Sequence, residues 1–400
     1  MYLTRLSLTN FRALSRLDLD IPRRLVLLVG KNAQGKTSIL EAIYYLATFS
    51  SFHAANDRQL INLGMSSDPL AVARIVAEFQ TSLRKHIFEV RLIQEANGGG
   101  TQPRFRKEIL LNGVRKKVGD AIGQFNAVLF TPQMTKVIEG APADRRQYLD
   151  ELISQVIPHY AQHLGDYAKV LTRRNALLKL LCENGGDASQ LDVWDEMLAK
   201  HGAFVMQARI QAIAEMAELV KRIHQRLTDG QEVLRLSYQP AYEPVQLPRG
   251  QMALPVDMEI DHSSFSMAEL QAGFLDGLKT SHKGDIQRGM TTLGPHRDEL
   301  RFISNKLDLG EYGSRGQGRS AILSMKMAEV QWMKGKTGEW PVLLLDETLA
   351  ELDPQRRSDL LKVVEEAEQG LLTSADLQMF EPDFVSRQQV WQVEDGLVKK

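Results

Sequence analysis

The chain opens on alternation. Arg16-Leu17-Asp18-Leu19-Asp20-Ile21 switches strictly between polar and apolar positions, the period of a half-exposed strand, and Pro22 ends it. Residues 1 to 29 as a whole read as strands. Leu25-Val26-Leu27-Leu28-Val29 is short and continuously apolar, which predicts a central strand buried on both faces. A loop with two glycines follows. A helix is predicted from about Thr37 to Ala47, with Ile39, Ala42, Ile43 and Leu46 on one face. Strand-like alternation returns between Leu70 and Leu92. Asn97 to Gly100 reads as a loop, and Leu111-Asn112-Gly113-Val114 as a hairpin turn.

The period changes near Pro132. From about Ala143 to Gly230 it is helical. Tyr148, Leu149, Leu152 and Val156 share a face before Pro158, and Tyr160, Leu164, Tyr167 and Leu171 continue after it. Asn184-Gly185-Gly186-Asp187 separates this run from a second one, from about Leu191 to Asp229-Gly230. Two long antiparallel helical segments of an inserted lobe are predicted. Residues 240 to 262 read as loop and short strand, and a helix is predicted from about Ser266 to His282. Leu300-Arg301-Phe302-Ile303 is strand-like. Gly310 to Gly318 reads as a glycine-rich loop before a helix with Ala321, Met325, Ala328 and Trp332 on one face. Val342-Leu343-Leu344-Leu345 predicts a second buried strand. Both ends are therefore α/β and the middle is α-helical, with boundaries expected at 1–132, 133–288 and 289–400.

Composition narrows this only a little. Four hundred residues exceed one ordinary core, in keeping with two lobes. The apolar share of 43% and charged share of 25% are those of a soluble globular chain. No segment approaches the run of about 18 apolar residues that crosses a bilayer. The N-terminus shows no apolar signal-peptide region, so a cytosolic location is expected. The single cysteine, Cys182, has no partner for a disulfide or a metal, and reads as a small buried apolar residue. Net charge is −1, so any grip on a nucleic acid backbone needs local positive charge or charge shared across a dimer.

Candidate chemistry begins at Gly30-Lys31-Asn32-Ala33-Gln34-Gly35-Lys36-Thr37, which fits G-x-x-x-x-G-K-[ST]. The glycines permit backbone angles that a Cβ forbids. The loop's N–H groups then face phosphate oxygens, and the following helix adds its positive end. Lys36 supplies charge to the β- and γ-phosphates, and the Thr37 hydroxyl ligates magnesium. An apolar strand before and an amphipathic helix after the loop favour this reading over an incidental glycine turn. The dinucleotide pattern G-x-G-x-x-G is absent.

The second buried strand ends in Asp346-Glu347. A strand end near the phosphates lets Asp346 hold magnesium, directly or through water, and lets Glu347 polarise the attacking water as general base. The competing reading is a pair of acids capping a helix. Lys36 and Asp346 lie 310 residues apart, a spacing that suggests ATPase heads whose sequence-distant halves fold together. Ser314-Arg315-Gly316-Gln317-Gly318-Arg319 opens a helix and offers a second phosphate-binding end. One nucleotide already has a loop, so the second end suggests action in trans; its bland alternative is a flexible turn.

These motifs together resemble the RecF family of bacterial recombination-mediator ATPases, over most of the chain. The resemblance rests on Leu8-Thr9-Asn10-Phe11-Arg12, Gly30 to Thr37, Phe130-Thr131-Pro132, Arg145-Arg146, Tyr148-Leu149-Asp150, Arg174-Asn175-Ala176-Leu177-Leu178-Lys179, Gly294-Pro295-His296-Arg297-Asp298, Ser314 to Gln317 and Leu343 to Asp353. It implies an ABC-type P-loop ATPase head with an inserted, mainly α-helical lobe. It implies ATP and Mg2+ as cofactors, with Arg12 and Gly30 through Ser38 around the nucleotide. It implies that Ser314, Arg315, Gly316 and Gln317 act in trans, Ser314 on the γ-phosphate of a partner's ATP, and that Asp353 communicates across the dimer. Gln133 is implied as a magnesium or water contact, although the family more often has an acid-containing stretch there. Gly316-Gln317-Gly318-Arg319 also departs from the family's Gly-Gln-Gln-Lys. The ABC switch histidine has no counterpart, and Thr373-Ser374 stands in its place.

The same resemblance implies a weak, DNA-stimulated ATPase. An ATP-dependent homodimer clamps DNA at single-strand gaps and duplex junctions, and RecR with RecO then loads RecA; no membrane is involved. The alternatives are an SMC-like structural protein, disfavoured by only two modest helical runs, and a transporter ATPase, usually shorter. Arg104-Phe105-Arg106-Lys107 and Arg115-Lys116-Lys117 form a candidate DNA strip, with a charge-protected edge strand as the competing reading. Arg145-Arg146 and Arg173-Arg174 read as packing and ion-pair residues of the helical lobe. His296 and the other histidines lack metal spacing.

Overall fold

Among the described residues the strands are β1 (Tyr2–Phe11), β2 (Leu14–Asp20), β3 (Leu25–Val29), β4 (Leu70–Gln80), β5 (Lys85–Glu95), β6 (Arg104–Leu111), β7 (Val114–Lys116), β8 (Ala127–Phe130), β9 (Leu234–Gln239), β10 (Glu299–Ser304), β11 (Leu307–Asp308), β12 (Val342–Asp346), β13 (Gly370–Ser374), β14 (Gln389–Glu394) and β15 (Leu397–Lys399). The main helices are α1 (Lys36–Thr48), α2 (Pro142–Ser154), α3 (Tyr160–Asn184), α4 (Asp192–Leu227), α5 (Met267–Arg288), α6 (Arg315–Thr337) and α7 (Pro354–Glu366). This computed structural model describes residues 1–65, 68–96, 103–242 and 262–400. The loop expected at Asn97 to Gly100 and most of the stretch expected at 240 to 262 lie outside the described residues. The chain divides into two compact units, Met1–Met134 with Glu329–Lys400, and Thr135–Ala328.

The first unit holds two six-stranded sheets. One is antiparallel, in the order β2-β1-β4-β5-β6-β7. The other runs β15-β14-β3-β13-β12-β8, with its central pairs parallel. Every residue of β3 and β12 is buried, as their unbroken apolar runs predict. Helix α1 shows one apolar stripe in the sequence, yet Ile39 through Thr48 are all buried. Its residues share one apolar cluster with strands of both sheets, so both of its faces are covered.

The β6–β7 hairpin turns at Asn112 and Gly113, both at positive φ, with Leu111 opposite Val114. The basic strip expected there is partly paired with acids. Arg106 pairs with Glu95 and Glu108, Arg115 pairs with Glu108, and Lys107 turns inward to Asp57 and over the Tyr45 ring. β7 is the sheet edge, so these charges have the arrangement of a protected edge strand.

The second unit packs α3 against α4. Arg174 meets Asp195 and Tyr160 meets Arg209, so sequence separation grows away from the connecting turn, as antiparallel helices require. Tyr167, Val170, Leu198, Ala199, Met206, Phe274 and Leu278 form a core among α3, α4 and α5. The family-typical stretches of this unit are packing devices. Arg174 is fully buried and bridges Asp195 and Asp285. Arg145 forks onto Glu299, and Arg146 donates to the Asp298 carbonyl. Gly294 adopts φ 120°, and a Cβ there would fall 2.5 Å from the Tyr167 hydroxyl. Burial holds His296 down at about pKa 4, so its ring stays neutral against Tyr167.

Two expectations change, and one strand was not foreseen. Cys182 is exposed, because the buried stripe of α3 runs through Arg174, Leu178 and Leu181 and leaves position 182 outside it. The stretch from Gly310 to Gly318 is mostly helical: a turn covers Leu309–Tyr312, and α6 starts at Arg315. β9, just after α4, falls outside every element expected from the sequence, although Leu234-Arg235-Leu236-Ser237-Tyr238-Gln239 alternates strictly between apolar and polar; it pairs with β10. Asp192, Asp195 and His282 do gather within ligand distance of one another. Asp195 is already committed to Arg174 and His282, which makes the group an ion-pair network.

Candidate nucleotide site

β3 delivers Gly30 at the end of a strand flanked by β13 and β14. The loop that follows needs its glycines. A Cβ on Gly30 would lie 2.2 Å from the Val393 carbonyl oxygen, and Gly35 adopts φ 101°. Ala33 also takes a positive φ. The hairpin between β14 and β15 braces the loop: Asp395 N–H donates to the Gln34 side chain at 2.5 Å, and Gly396 N–H to the Gln34 carbonyl at 3.1 Å. Lys31, Asn32 and Ala33 are exposed at the tip, and Ser38 is half-buried. Helix α1 starts after Gly35 with no side-chain cap and no acid in its first turn. Its leading N–H groups therefore remain available to an anion.

Lys36 is 3% exposed and folds back along the loop, donating to the carbonyls of Gly30 and Lys31. Its ammonium lies 3.6 Å from Glu347. The Thr37 hydroxyl donates to Asp346 at 3.0 Å, although the two residues are 309 apart in sequence. Thr373 organises both acids: its hydroxyl donates to Asp346 at 2.8 Å and accepts from the Glu347 N–H at 3.0 Å. Glu347 sits at φ 50°, a left-handed conformation that is costly for a residue with a side chain. Its side chain is 42% exposed beside Lys36. The Thr37 hydroxyl and Asp346 carboxylate are oxygen donors of the kind a hard divalent cation takes, so these residues fit magnesium.

Other expected residues land differently. Arg12 takes φ 54° and forks onto Glu41 of α1 at 2.7 and 2.8 Å. Glu41 is 1% exposed and also accepts from Ser51. It is four residues past Thr37, an acid inside an apolar helix, and that misfit is the signal by which it could have been found. His53 lies 4.0 Å from Asp346; nothing in its local sequence marks it. Gln133 is exposed on a turn three residues beyond Phe130, which pairs with Leu345. It therefore follows the same carboxyl end of the sheet as Asp346. Asp353 caps α7, accepting from Arg356 N–H at 3.0 Å and from its guanidinium at 2.7 Å.

Ser314, Arg315 and Gly316 are exposed. Ser314 and Gln317 cap each other. The Gln317 N–H donates to the Ser314 hydroxyl at 3.2 Å, and the Ser314 N–H donates to the Gln317 amide oxygen at 3.0 Å. This reciprocal pair starts α6 earlier than the glycines suggest.

Residues 2–398 match the family described as RecF/RecN/SMC N-terminal domain. The DNA replication and repair protein RecF of Herpetosiphon aurantiacus is 36% identical over 408 residues, covering 100% of this chain and 99% of the relative. That of Chloroflexus aurantiacus is 37% identical over 415 residues, with the same coverage. This chain belongs to the RecF family. A solved structure of the recombination mediator protein RecF with ATP, in the RecFOR pathway, superposes with a TM-score of 0.80 at 27% identity, covering 100% of this chain and 99% of that one. The RecF fold is a mixed α/β ATPase head of the SMC type. Among the described residues no helix is long and apolar enough to cross a membrane.

Proposed function

We propose that this chain is an ATP-binding recombination mediator that uses ATP as a clamp and hydrolysis as the release. The observation that carries it is the convergence of Lys36, Thr37, Asp346 and Glu347, held together by Thr373. ATP's phosphates sit on the Gly30 to Ser38 loop, with Lys36 charging the β- and γ-oxygens and Arg12 and Asn32 nearby. Thr37, Asp346 and Gln133 would hold Mg2+, which would supply positive charge to the phosphates. Glu347 takes the proton of the attacking water. Ser314, Arg315, Gly316 and Gln317 of a second copy close over the γ-phosphate, and Asp353 couples the two sites. The RecF relatives support the rest of the reading. The dimer grips DNA at single-strand gaps or duplex junctions in the cytoplasm, helps RecR and RecO load RecA, and lets go on slow, DNA-stimulated hydrolysis.

Two results are expected. Ser314→Arg, which puts a bulky cation where the serine hydroxyl would meet the partner's nucleotide, abolishes ATP-dependent dimerisation measured by light scattering. An undiminished dimer would remove the trans assignment. ATP turnover rises when gapped DNA is added and rises less with single strands alone. No stimulation by gapped, duplex or single-stranded DNA would count against the repair role.

A further inference from the structure

Gln317 does more than cap α6. Its amide oxygen accepts from Ser314 N–H, and its amide nitrogen donates to Glu232 at 3.2 Å. The orientation of this amide is thereby decided, because a backbone N–H can only donate and an ionised carboxylate can only accept. Glu232 follows the end of α4, and three elements meet on it. Its other oxygen accepts from Ser304 at the end of β10 at 3.1 Å and lies 3.2 Å from His224 Nε2 on α4. His224 is fully buried, and its Nδ1 lies 3.0 Å from the Ser324 hydroxyl. Ser324 stands two helical turns beyond Gln317 on α6 and donates to the Ser320 carbonyl. The Glu232–His224 pair thus holds one face of α6 at two heights. Burial works against the Glu232 carboxylate, but hydrogen bonds from Gln317, His224 and Ser304 hold its pKa below the usual value.

We propose that Glu232, oriented by His224, is the positioning residue for the Ser314 signature. It locks the Gln317 amide, which in turn sets the Ser314 N–H and hydroxyl, so the exposed helix end is already arranged before a second copy arrives. Preorganisation of this kind lowers the ordering cost of association. The proposal rests on the reading that Ser314 acts on a partner's nucleotide.

The test uses the full chain and three quantities. These are affinity for a fluorescent ATP analogue at concentrations too low to dimerise, the midpoint of ATP-dependent dimerisation by light scattering, and the melting profile. Glu232→Ala is expected to leave analogue affinity within about twofold and to weaken dimerisation roughly tenfold or more, the scale of one charge-assisted hydrogen bond. Gln317→Glu sets two carboxylates face to face and weakens dimerisation similarly, while keeping a capping side chain at that helical position. Combining Gln317→Glu with Glu232→Gln exchanges donor and acceptor, and is expected to bring the midpoint back to within about threefold of the wild type. A merely structural role for Glu232 does not predict that rescue. If Ser314→Arg blocks dimerisation but Glu232→Ala dimerises normally, the positioning role is overturned and the trans reading stands. If Ser314→Arg dimerises normally, the trans reading itself fails. Should Glu232→Ala not fold, the exchanged pair decides: dimerisation no better than Gln317→Glu alone overturns the proposal.

Discussion

Glu347→Gln is expected to cut ATP hydrolysis by about 10²- to 10⁴-fold, the usual worth of a positioned general base, while leaving ATP binding intact. The substitution is nearly isosteric. The backbone at Glu347 is held by Thr373 through the N–H, not through the side chain. Asp346 and Thr37 keep their contact, and Lys36 keeps its bonds to the loop carbonyls. What is lost is a carboxylate able to take a proton. The second consequence concerns lifetime. If hydrolysis ends the clamp, the variant with ATP remains dimeric long after the wild type has dissociated. Phosphate release and light scattering on one sample check both halves. Hydrolysis at the wild-type rate would remove Glu347 as the base, and slow hydrolysis with a short-lived dimer would break the link between turnover and release.

Arg209→Ala is expected to destabilise the helical unit by about 3–5 kcal/mol, the range for removing one partner of a buried ion pair. The Arg209 guanidinium is 2% exposed. It bonds Asp150 at 2.8 Å, Asp298 at 3.0 Å, the Pro295 carbonyl at 2.6 Å and the Tyr160 hydroxyl at 3.1 Å. Burial opposes its charge, but its surroundings, the Asp150 and Asp298 carboxylates among them, outweigh burial and hold its pKa well above the ordinary value. Burial likewise pushes the Tyr160 and Tyr238 hydroxyls up, so both remain donors to the two carboxylates. Truncation strands those carboxylates, Asp298 with 1% side-chain exposure among them. In calorimetry the transition of this unit should fall by roughly 10 °C, given about 2–4 °C per kcal/mol for a unit of this size. An unchanged melting profile would mean that the network contributes no net stability.

How much of this was legible beforehand depends on the range of the interaction. β3 and β12 were readable because a short apolar run bounded by a proline or acids has few other uses. The backbone of the loop from Gly30 to Thr37 was readable because Gly30 and Gly35 are demanded by its geometry, and the structure shows what demands them: the Val393 carbonyl at one and φ 101° at the other. The α3–α4 pair was readable from its period. Cys182 was misplaced because a small apolar residue says nothing about which side of a helical stripe it occupies. The capped start of α6 was hidden because glycines and a serine describe a loop and a helix N-terminus equally well.

Periodicity and backbone constraint act within a few residues, and they were enough for the elements, the loop from Gly30 to Thr37 and the acids Asp346 and Glu347. The order of β14, β3, β13, β12 and β8 depends on packing between segments hundreds of residues apart. That order brings Thr37 to Asp346, puts Thr373 between the two acids and braces Gln34 with the final hairpin. Packing also turns Arg12 onto Glu41 and sets Glu232 behind the signature helix. A hydrogen bond or ion pair leaves no periodic trace in either partner's local sequence, so its two ends find each other only once the chain is folded.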